Sequence, residues 1–393
     1  MMKEVVIVSY ARTAVGTMGG AIKDVHAADL GATAIKEAVK RSGISKDSID
    51  EVIMGCVGQV AESAFIARMC AIRAGLPATS NALTVNRLCG SGLQAINNAV
   101  QQLQTGNADV IVAGGTENMD QLPYYVRKGR YGNRFGHTQL EDGLATALTD
   151  PFGNYPMGVT AEKVAEKFNV SREEQDQFAY ESQMKAVEAI EKGYFKDQIV
   201  PIELKGRKGD VTIFDTDEHP RKGTTVEKLS TLKPAFKENG TVTPGNSSGI
   251  NNGAAALVLM TLDKANELGL KPIAFVREQA LAGVEPEIMG YAPAPAVDKL
   301  LKKSGLSLDD IDLMELNEAF AAQAIAVMNE LGIEKEKVNV NGGAIALGHP
   351  IGASGSIITV KLLEELKRRK AKRGISTMCI GGGQGIATLF ELV

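Results

Sequence analysis

Residues 36–54 read KEAVKRSGISKDSIDEVIM, and residues 298–316 read DKLLKKSGLSLDDIDLMEL. Aligned on Ser42-Gly43 and Ser304-Gly305, both give a basic amphipathic segment, a Ser-Gly stop, an acidic turn through Asp47 or Asp309, and Ile-Asp leading into an apolar run. Each reads as a helix closed by a C′ glycine, followed by a buried strand. Further matches follow in the same order. Val85-Asn86 precedes a glycine-rich turn and a helical pattern; Val340-Asn341 precedes another such turn and a helix over 354–369. Residues 108–115 and 376–383 each read as a strand ending in glycines. A separation of about 260 residues is too long for a solenoid repeat. It points to duplication, with two α/β halves each built as a sheet-and-helix unit.

The segment 119–249 has no counterpart in the second repeat. It is rich in loops and charges and holds one long helical pattern, about 171–192, opened by the capping box Ser171-x-x-Glu174. It reads as an excursion from the first half, of the kind that forms lids or binding surfaces. The expected division is therefore 1–270, excursion included, and 271–393.

The chain has 393 residues, 44% hydrophobic and 23% charged, enough to bury a core in two halves. A net charge of −4 argues against a nucleic-acid partner. Four cysteines with no C-x-x-C pair make no disulfide framework. No apolar stretch approaches the roughly 20 residues of a membrane span. Met1-Met2-Lys3-Glu4 runs straight into Val5-Val6-Ile7-Val8 without a signal-peptide core, and Phe390-Glu391-Leu392-Val393 carries no Ser-Lys-Leu address. A soluble, reducing, cytoplasmic setting is the expectation, with no membrane contact.

Chemistry concentrates in a few glycine-rich motifs. Cys89 sits in Leu-Cys-Gly-Ser-Gly at 88–92, just ahead of a helix. The orphan N–H groups and partial positive charge there are expected to ease loss of the thiol proton. His349 stands among glycines and small apolar residues in Gly348-His349-Pro350, unlike His26, His137 and His219, whose sequence neighbours are ordinary polar residues. A satisfied structural histidine is the competing reading, and the glycine frame parallel to the Cys89 turn argues against it. Cys379 opens Cys-Ile-Gly-Gly-Gly-Gln-Gly; alone it would pass for a small buried hydrophobe, but the backbone N–H groups that follow suit an oxyanion. Asn317 fits either an N-cap or a strand-end amide that orients water or a thioester oxygen. Cys56 and Cys70 lie in apolar patterns and read as core. The Cys and His spacings match no zinc signature, so no metal is expected. The basic run 367–373 reads as a helix C-terminus that complements the dipole.

Five motifs in this order, Asn86–Gly92, 113–119, 317–321, 341–350 and 379–385, resemble the thiolase family over essentially the whole chain. The resemblance implies a duplicated five-layer α/β/α/β/α fold with a loop-domain insertion, assembled as a homotetramer. It implies an acetyl-CoA C-acetyltransferase activity, the reversible Claisen condensation of two acetyl-CoA to acetoacetyl-CoA and coenzyme A through an acyl-cysteine. Coenzyme A would be substrate and product, with no other cofactor. Cys89 would be the nucleophile, His349 its activator, and Cys379 the base for the α-proton. Asn317, through a water, would share one oxyanion hole with His349; the N–H groups of Cys89 and Gly381 would form the second. The excursion would supply coenzyme A contacts: Arg221 at the adenine end, Ser248 on the pantetheine, and Leu148, Met157, Ala235, Phe236, Ala319 and Phe320 along the channel. Pro156 and Lys228 depart from the short-chain pattern, where a histidine and a serine are common. A decarboxylating condensing enzyme, a noncatalytic acyl-CoA-binding relative and a Cys-His-Asn hydrolase are the rival classes, and none of them requires Cys379.

Overall fold

A nine-residue strand, β1 (Val5–Thr13), is buried along its whole length. Val6 and Val8 join one apolar cluster while Val5 and Ile7 join another, so both faces of this sheet are covered. The computed structural model describes residues 3–206 and 209–393; Met1 and Met2, which open the N-terminal half, lie outside them. After β1 come α1 (Ala27–Ser42), β2 (Glu51–Gly55), α2 (Ile66–Arg73), β3 (Asn81–Val85), α3 (Ser91–Thr105) and β4 (Val110–Asn118). The excursion carries α4 (Met157–Phe168) and α5 (Arg172–Glu191), and the chain rejoins the sheet at β5 (Asn251–Thr261). The second half runs β6 (Ala274–Gly283), α6 (Pro293–Ser304), β7 (Leu313–Leu316), α7 (Ala321–Leu331), α8 (Ser354–Arg369), β8 (Arg373–Ile380) and β9 (Gln384–Leu392).

The duplication is visible in strand order. The first half pairs β3-β2-β4-β5-β1; the second pairs β7-β8-β9-β6, with Val338 bridging Met314 where β3 would stand. Directions match too. The β2/β4 and β7/β8 pairs are parallel, and the next two pairings of each half are antiparallel. The sheets meet edge to edge at Val6↔Phe275 and Ile7↔Ala274. Gly43 and Gly305 close α1 and α6 in the left-handed conformation, with φ of 74° and 69°, as the Ser-Gly alignment predicts.

Three apolar clusters define the layers. The helices α1 and α2 cover the outer face of the first sheet through Ile35, Ala38, Ile66, Val52 and Met54. In the middle, α3 and α8 lie between the sheets, with Leu93, Ile96 and Leu362 against Ile53 and Ile111 on one side and Met378 and Phe390 on the other. The outer face of the second sheet takes α6 and α7, through Leu300, Val327, Met314 and Ile375. This is the five-layer α/β/α/β/α arrangement.

Three local readings need adjustment. The capping box at Ser171 and Glu174 forms, but the excursion also holds α4, whose short apolar pattern was not singled out. Asn317 is not an N-cap: α7 begins at Ala321 with Phe320 ahead of it. The glycine matching of 108–115 with 376–383 is out of register. Met54 lies beside Gly114, whereas its counterpart Leu316 lies beside Thr377. Gly114 and Gly115 are therefore interior to β4, while Gly382 and Gly383 turn the chain between β8 and β9 at φ of 82° and 83°. The basic run does end α8, with Lys367, Arg368 and Arg369 in its last turn.

The crossing of α3 and α8 leaves no room for side chains. A Cβ on Gly92 would sit 2.8 Å from the Ser356 backbone nitrogen, and one on Gly355 would strike the Leu93 backbone nitrogen. Gly355→Ala is expected to cost about 1–3 kcal/mol as overpacking in a rigid core, read as a lowered denaturation midpoint. A variant as stable as the parent would show that the helices part without cost.

Candidate active site

The turn from β3 into α3 presents Cys89. Leu88 occupies the left-handed region at φ 46°, rare for a branched residue. Side chains hold it there: Asn86 Oδ1 accepts from the Leu88 N–H at 2.9 Å, and Ser91 Oγ accepts from the Arg87 N–H at 2.9 Å while donating to the Leu88 carbonyl at 2.5 Å. A Cβ on Gly90 would lie 2.6 Å from Ile380 Cδ1, so glycine is what lets the Cys89 turn approach the end of β8, where Cys379 sits. Cys379 is fully buried beside Met289, Ala319, Met157 and Phe320, and its thiol senses the charge of Cys89. The two cysteines thus share one site.

His349 is buried, and three contacts orient it. Its N–H donates to Asn251 Oδ1 at 3.0 Å, Nδ1 lies 2.6 Å from Ser354 Oγ, and Nε2 lies 3.5 Å from Asn317 Nδ2. The Ser354 hydroxyl also donates to the Pro350 carbonyl at 3.0 Å. With the Asn317 amide NH₂ facing it, Nε2 is an acceptor; Nδ1–H then donates to Ser354 Oγ, whose own hydroxyl donates to the Pro350 carbonyl. The hydrogen-bond pattern assigns this tautomer, and it leaves a basic Nε2 on the active-site side. Asn317 Oδ1 is buried without a partner, and a cavity of about 20 Å³, room for one water, abuts Asn317 and Ser354.

A cavity of about 470 Å³ opens over these groups. Its wall includes Cys89, His349, Gly381, Leu148, Met157, Arg221, Phe236, Ser248, Ala319 and Phe320. Phe236 and Phe320 meet edge to face at 6.3 Å. The Ser248 N–H donates to the Ala319 carbonyl at 2.9 Å, so the end of the excursion and the second half form one wall together. Arg221 stands exposed at the rim, its backbone N–H held by Gln183 Oε1 at 2.8 Å, and it makes no ion pair among the described residues. Of the residues singled out from sequence, three lie off this wall. Asn317 and Cys379 sit behind it, and Ala235 is exposed, its N–H donating to the Val242 carbonyl.

Sequence reading missed several contributors. Ser354 lies inside the His349 motif but drew no role. Asn251, far away in sequence, holds the His349 backbone. His219 does not sit in ordinary polar surroundings: it lines the cavity beside Ser248 and Gly249, and burial together with Arg221 pushes its pKa down to about 4. Met119 and Met289 complete the apolar wall.

The electrostatics correct one expectation. Burial pushes the Cys89 thiol up to about 11, although the N–H groups of Gly381 and of Cys89 itself donate toward the sulfur and pull the other way. Burial likewise raises Cys379, and it lowers His349 to about 4. Desolvation outweighs the helix N-terminus, a contribution of only about 0.3–1 kcal/mol at an exposed site. The resting site is a neutral thiol beside a neutral imidazole.

Family models match both halves: "Thiolase, N-terminal domain" over residues 5–263 and "Thiolase, C-terminal domain" over 270–392. An acetyl-CoA acetyltransferase of Syntrophomonas wolfei is 52% identical over 396 residues, covering all of both chains. The crystal structure of the Bacillus anthracis acetyl-CoA acetyltransferase superposes with a TM-score of 0.98 at 48% identity, covering 100% of this chain and 99% of that one. That of human mitochondrial 3-ketoacyl-CoA thiolase in complex with CoA gives 0.96 at 44% identity, covering 100% and 98%.

Ser354→Ala would leave His349 Nδ1–H without its acceptor. The expected outcome is a fall in the rate of Cys89 acylation of roughly tenfold or more, part of the 10²–10⁴ available from general base catalysis. His349 titrates near 4, so parental activity should hold from neutral pH down to about 5 and fall as the imidazole charges below that. A fall centred near 6.5 would show that the imidazole is not desolvated.

Proposed function

The chain belongs to the thiolase family, and from that premise we propose that it is an acetyl-CoA C-acetyltransferase, joining two acetyl-CoA into acetoacetyl-CoA and coenzyme A and running in reverse as a thiolase. The observation that carries the reading is the convergence of Cys89 and His349 on one cavity wall with Cys379 just behind it, close enough to sense the charge of Cys89, and with the Gly381 N–H aimed at the nucleophilic sulfur. A hydrolase needs the first two alone; a carbon–carbon bond needs a second base.

The neutral Nε2 of His349 accepts the Cys89 proton as the sulfur attacks the thioester carbonyl. The N–H groups of Cys89 and Gly381 stabilise the oxyanion. As coenzyme A leaves, its thiolate takes the proton of Cys379. Burial has made that thiol reluctant to ionise, so the thiolate left behind is a strong base, suited to the α-proton of the next acetyl-CoA. The enolate oxygen is held by the His349 Nε2–H and by a water on Asn317, whose buried amide oxygen has no protein partner. The enolate carbon then attacks acetyl-Cys89, and the Cys89 thiolate leaves.

Arg221 supplies a cation for the nucleotide phosphates, and Ser248 with the Phe236–Phe320 pair guides the pantetheine arm. Ala235 joins this reading only through its neighbour Phe236. Pro156 sits in the cavity wall without a side-chain donor, among apolar neighbours that include Leu148, Met157 and Met289. Coenzyme A serves as substrate and product with no further cofactor. We extend the reading to a cytoplasmic homotetramer with halves at 1–270 and 271–393. No helix among the described residues is long and apolar enough to cross a membrane, and exposed Tyr131, Phe135 and Leu140 in the excursion offer a surface for further copies.

Brief incubation with labelled acetyl-CoA should leave about one label per chain on Cys89; an unlabelled Cys89 overturns the assignment. Cys379→Ala should still acylate while α-proton exchange of acetyl-CoA collapses, by roughly 10²-fold or more. Normal exchange would mean that a different base acts.

A further inference from the structure

Glu117, near the end of β4, is buried, 1% exposed, and the chemistry above gives it no part. Its Oε2 accepts from the Val57 N–H at 2.8 Å and the Gly352 N–H at 2.9 Å; its Oε1 accepts from the Gly58 N–H at 3.0 Å and faces the Cys56 thiol at 3.4 Å. Three of these partners are backbone donors, and no cation pairs with the carboxylate among the described residues. Burial raises the proton affinity of Glu117, but the backbone N–H donors pull the other way and a protonated acid would have no good acceptor for its hydrogen, so the contacts favour a carboxylate. An uncompensated buried charge is costly, and an apolar side chain or an amide would fill the same space.

Its partners come from both halves. Val57 and Gly58 follow β2 in the first, whereas Gly352 stands in the second, between His349 and the Ser354 that orients it. A Cβ on Gly352 would strike Glu117 Oε2 and lie 2.7 Å from Cys56 Cα, so the junction has no room for a side chain there. Directly above it, Ile351 and Met119 pack with Val57 and Cys89. The carboxylate therefore lies beneath the floor that joins the nucleophile's side of the cavity to the histidine's.

We propose that Glu117 is a positioning residue for acyl transfer: its carboxylate ties the 57–58 loop to the 350–352 segment, placing His349 against Cys89, and its negative charge favours the proton-transfer pair, neutral thiol before attack and imidazolium after it. The inference rests on the acyl-cysteine reading above. The titratable groups that share the region are Cys56 against the carboxylate, and Cys89, His349 and Cys379 above it. Burial is the main cause of the raised proton affinity of Cys89, and the charge of Glu117 adds a smaller push in the same direction.

Two variants separate geometry from charge. Glu117→Gln keeps the shape and removes the charge; Glu117→Asp keeps the charge and shortens the reach. Labelled acetyl-CoA on the parent first establishes acylation at Cys89, and its absence would remove the parent reading rather than this one. In both variants kcat should fall by roughly 10–100-fold with KM within about threefold, the usual cost of a misplaced reacting group. Iodoacetamide alkylation of Cys89 as a function of pH should move to lower pH in Glu117→Gln and stay at the parental position in Glu117→Asp. Thermal unfolding checks that each variant is folded; should Glu117→Gln not fold, kcat and the alkylation profile of Glu117→Asp decide. Parental kcat in either folded variant overturns the proposal, as does an unmoved alkylation profile in Glu117→Gln or a shifted one in Glu117→Asp.

Discussion

The contact on which the molecule depends is the crossing of α3 and α8 between the two sheets. At their N-terminal ends the backbones touch, with Gly92 against Ser356 and Gly355 against Leu93. Leu93, Ile96, Leu103, Leu362, Leu363 and Leu366 are essentially inaccessible around it, each worth about 1.5–3 kcal/mol of burial. Because the halves share one topology, each delivers a helix N-terminus to the same place. The turn before α3 carries Cys89; the segment before α8 carries His349, with Ser354 as the first helical residue. Neither half alone would hold a nucleophile and its base together.

Burial on this scale dictates the chemistry. Desolvation raises both thiols and lowers the imidazole, so the thiols stay protonated and the imidazole neutral near neutral pH. Catalysis then relies on proton transfer between groups already in place rather than on a standing thiolate. Dryness also strengthens the backbone dipoles aimed at the reacting carbonyl.

The polar groups that remain buried act mainly as ties between segments. Arg12 grips Asp217 with two bonds of 2.7 and 2.8 Å and so fixes the start of the His219–Arg221 segment at the cavity rim. Glu318 accepts from Ser182 at 2.7 Å, Asn339 at 2.8 Å and the Ile345 N–H at 3.3 Å, joining α5 to the turn before His349. Lys361 pairs with Glu315 at 2.8 Å and reaches the Gly342 carbonyl at 2.7 Å. Breaking one partner of such a pair strands the other in apolar surroundings.

Local rules reached far into this chain. The helix–Ser-Gly–strand pattern at 36–54 and 298–316, the capping box at Ser171, and the glycine-rich turns at Cys89, His349 and Cys379 are written in short-range chemistry, since propensity, caps and φ preference act over a few residues. The duplication followed from their order, and with it the convergence of two halves. What lay beyond the sequence depended on partners far apart along the chain. Asn251 reaches His349 across 98 residues, Glu117 reaches Gly352 across 235, and His219 enters the cavity only because the excursion folds back over it. The protonation of Cys89 belongs to the same class: its position at a helix N-terminus is local and argued for an easily lost proton, whereas the solvent exclusion that prevails is a property of the assembled layers.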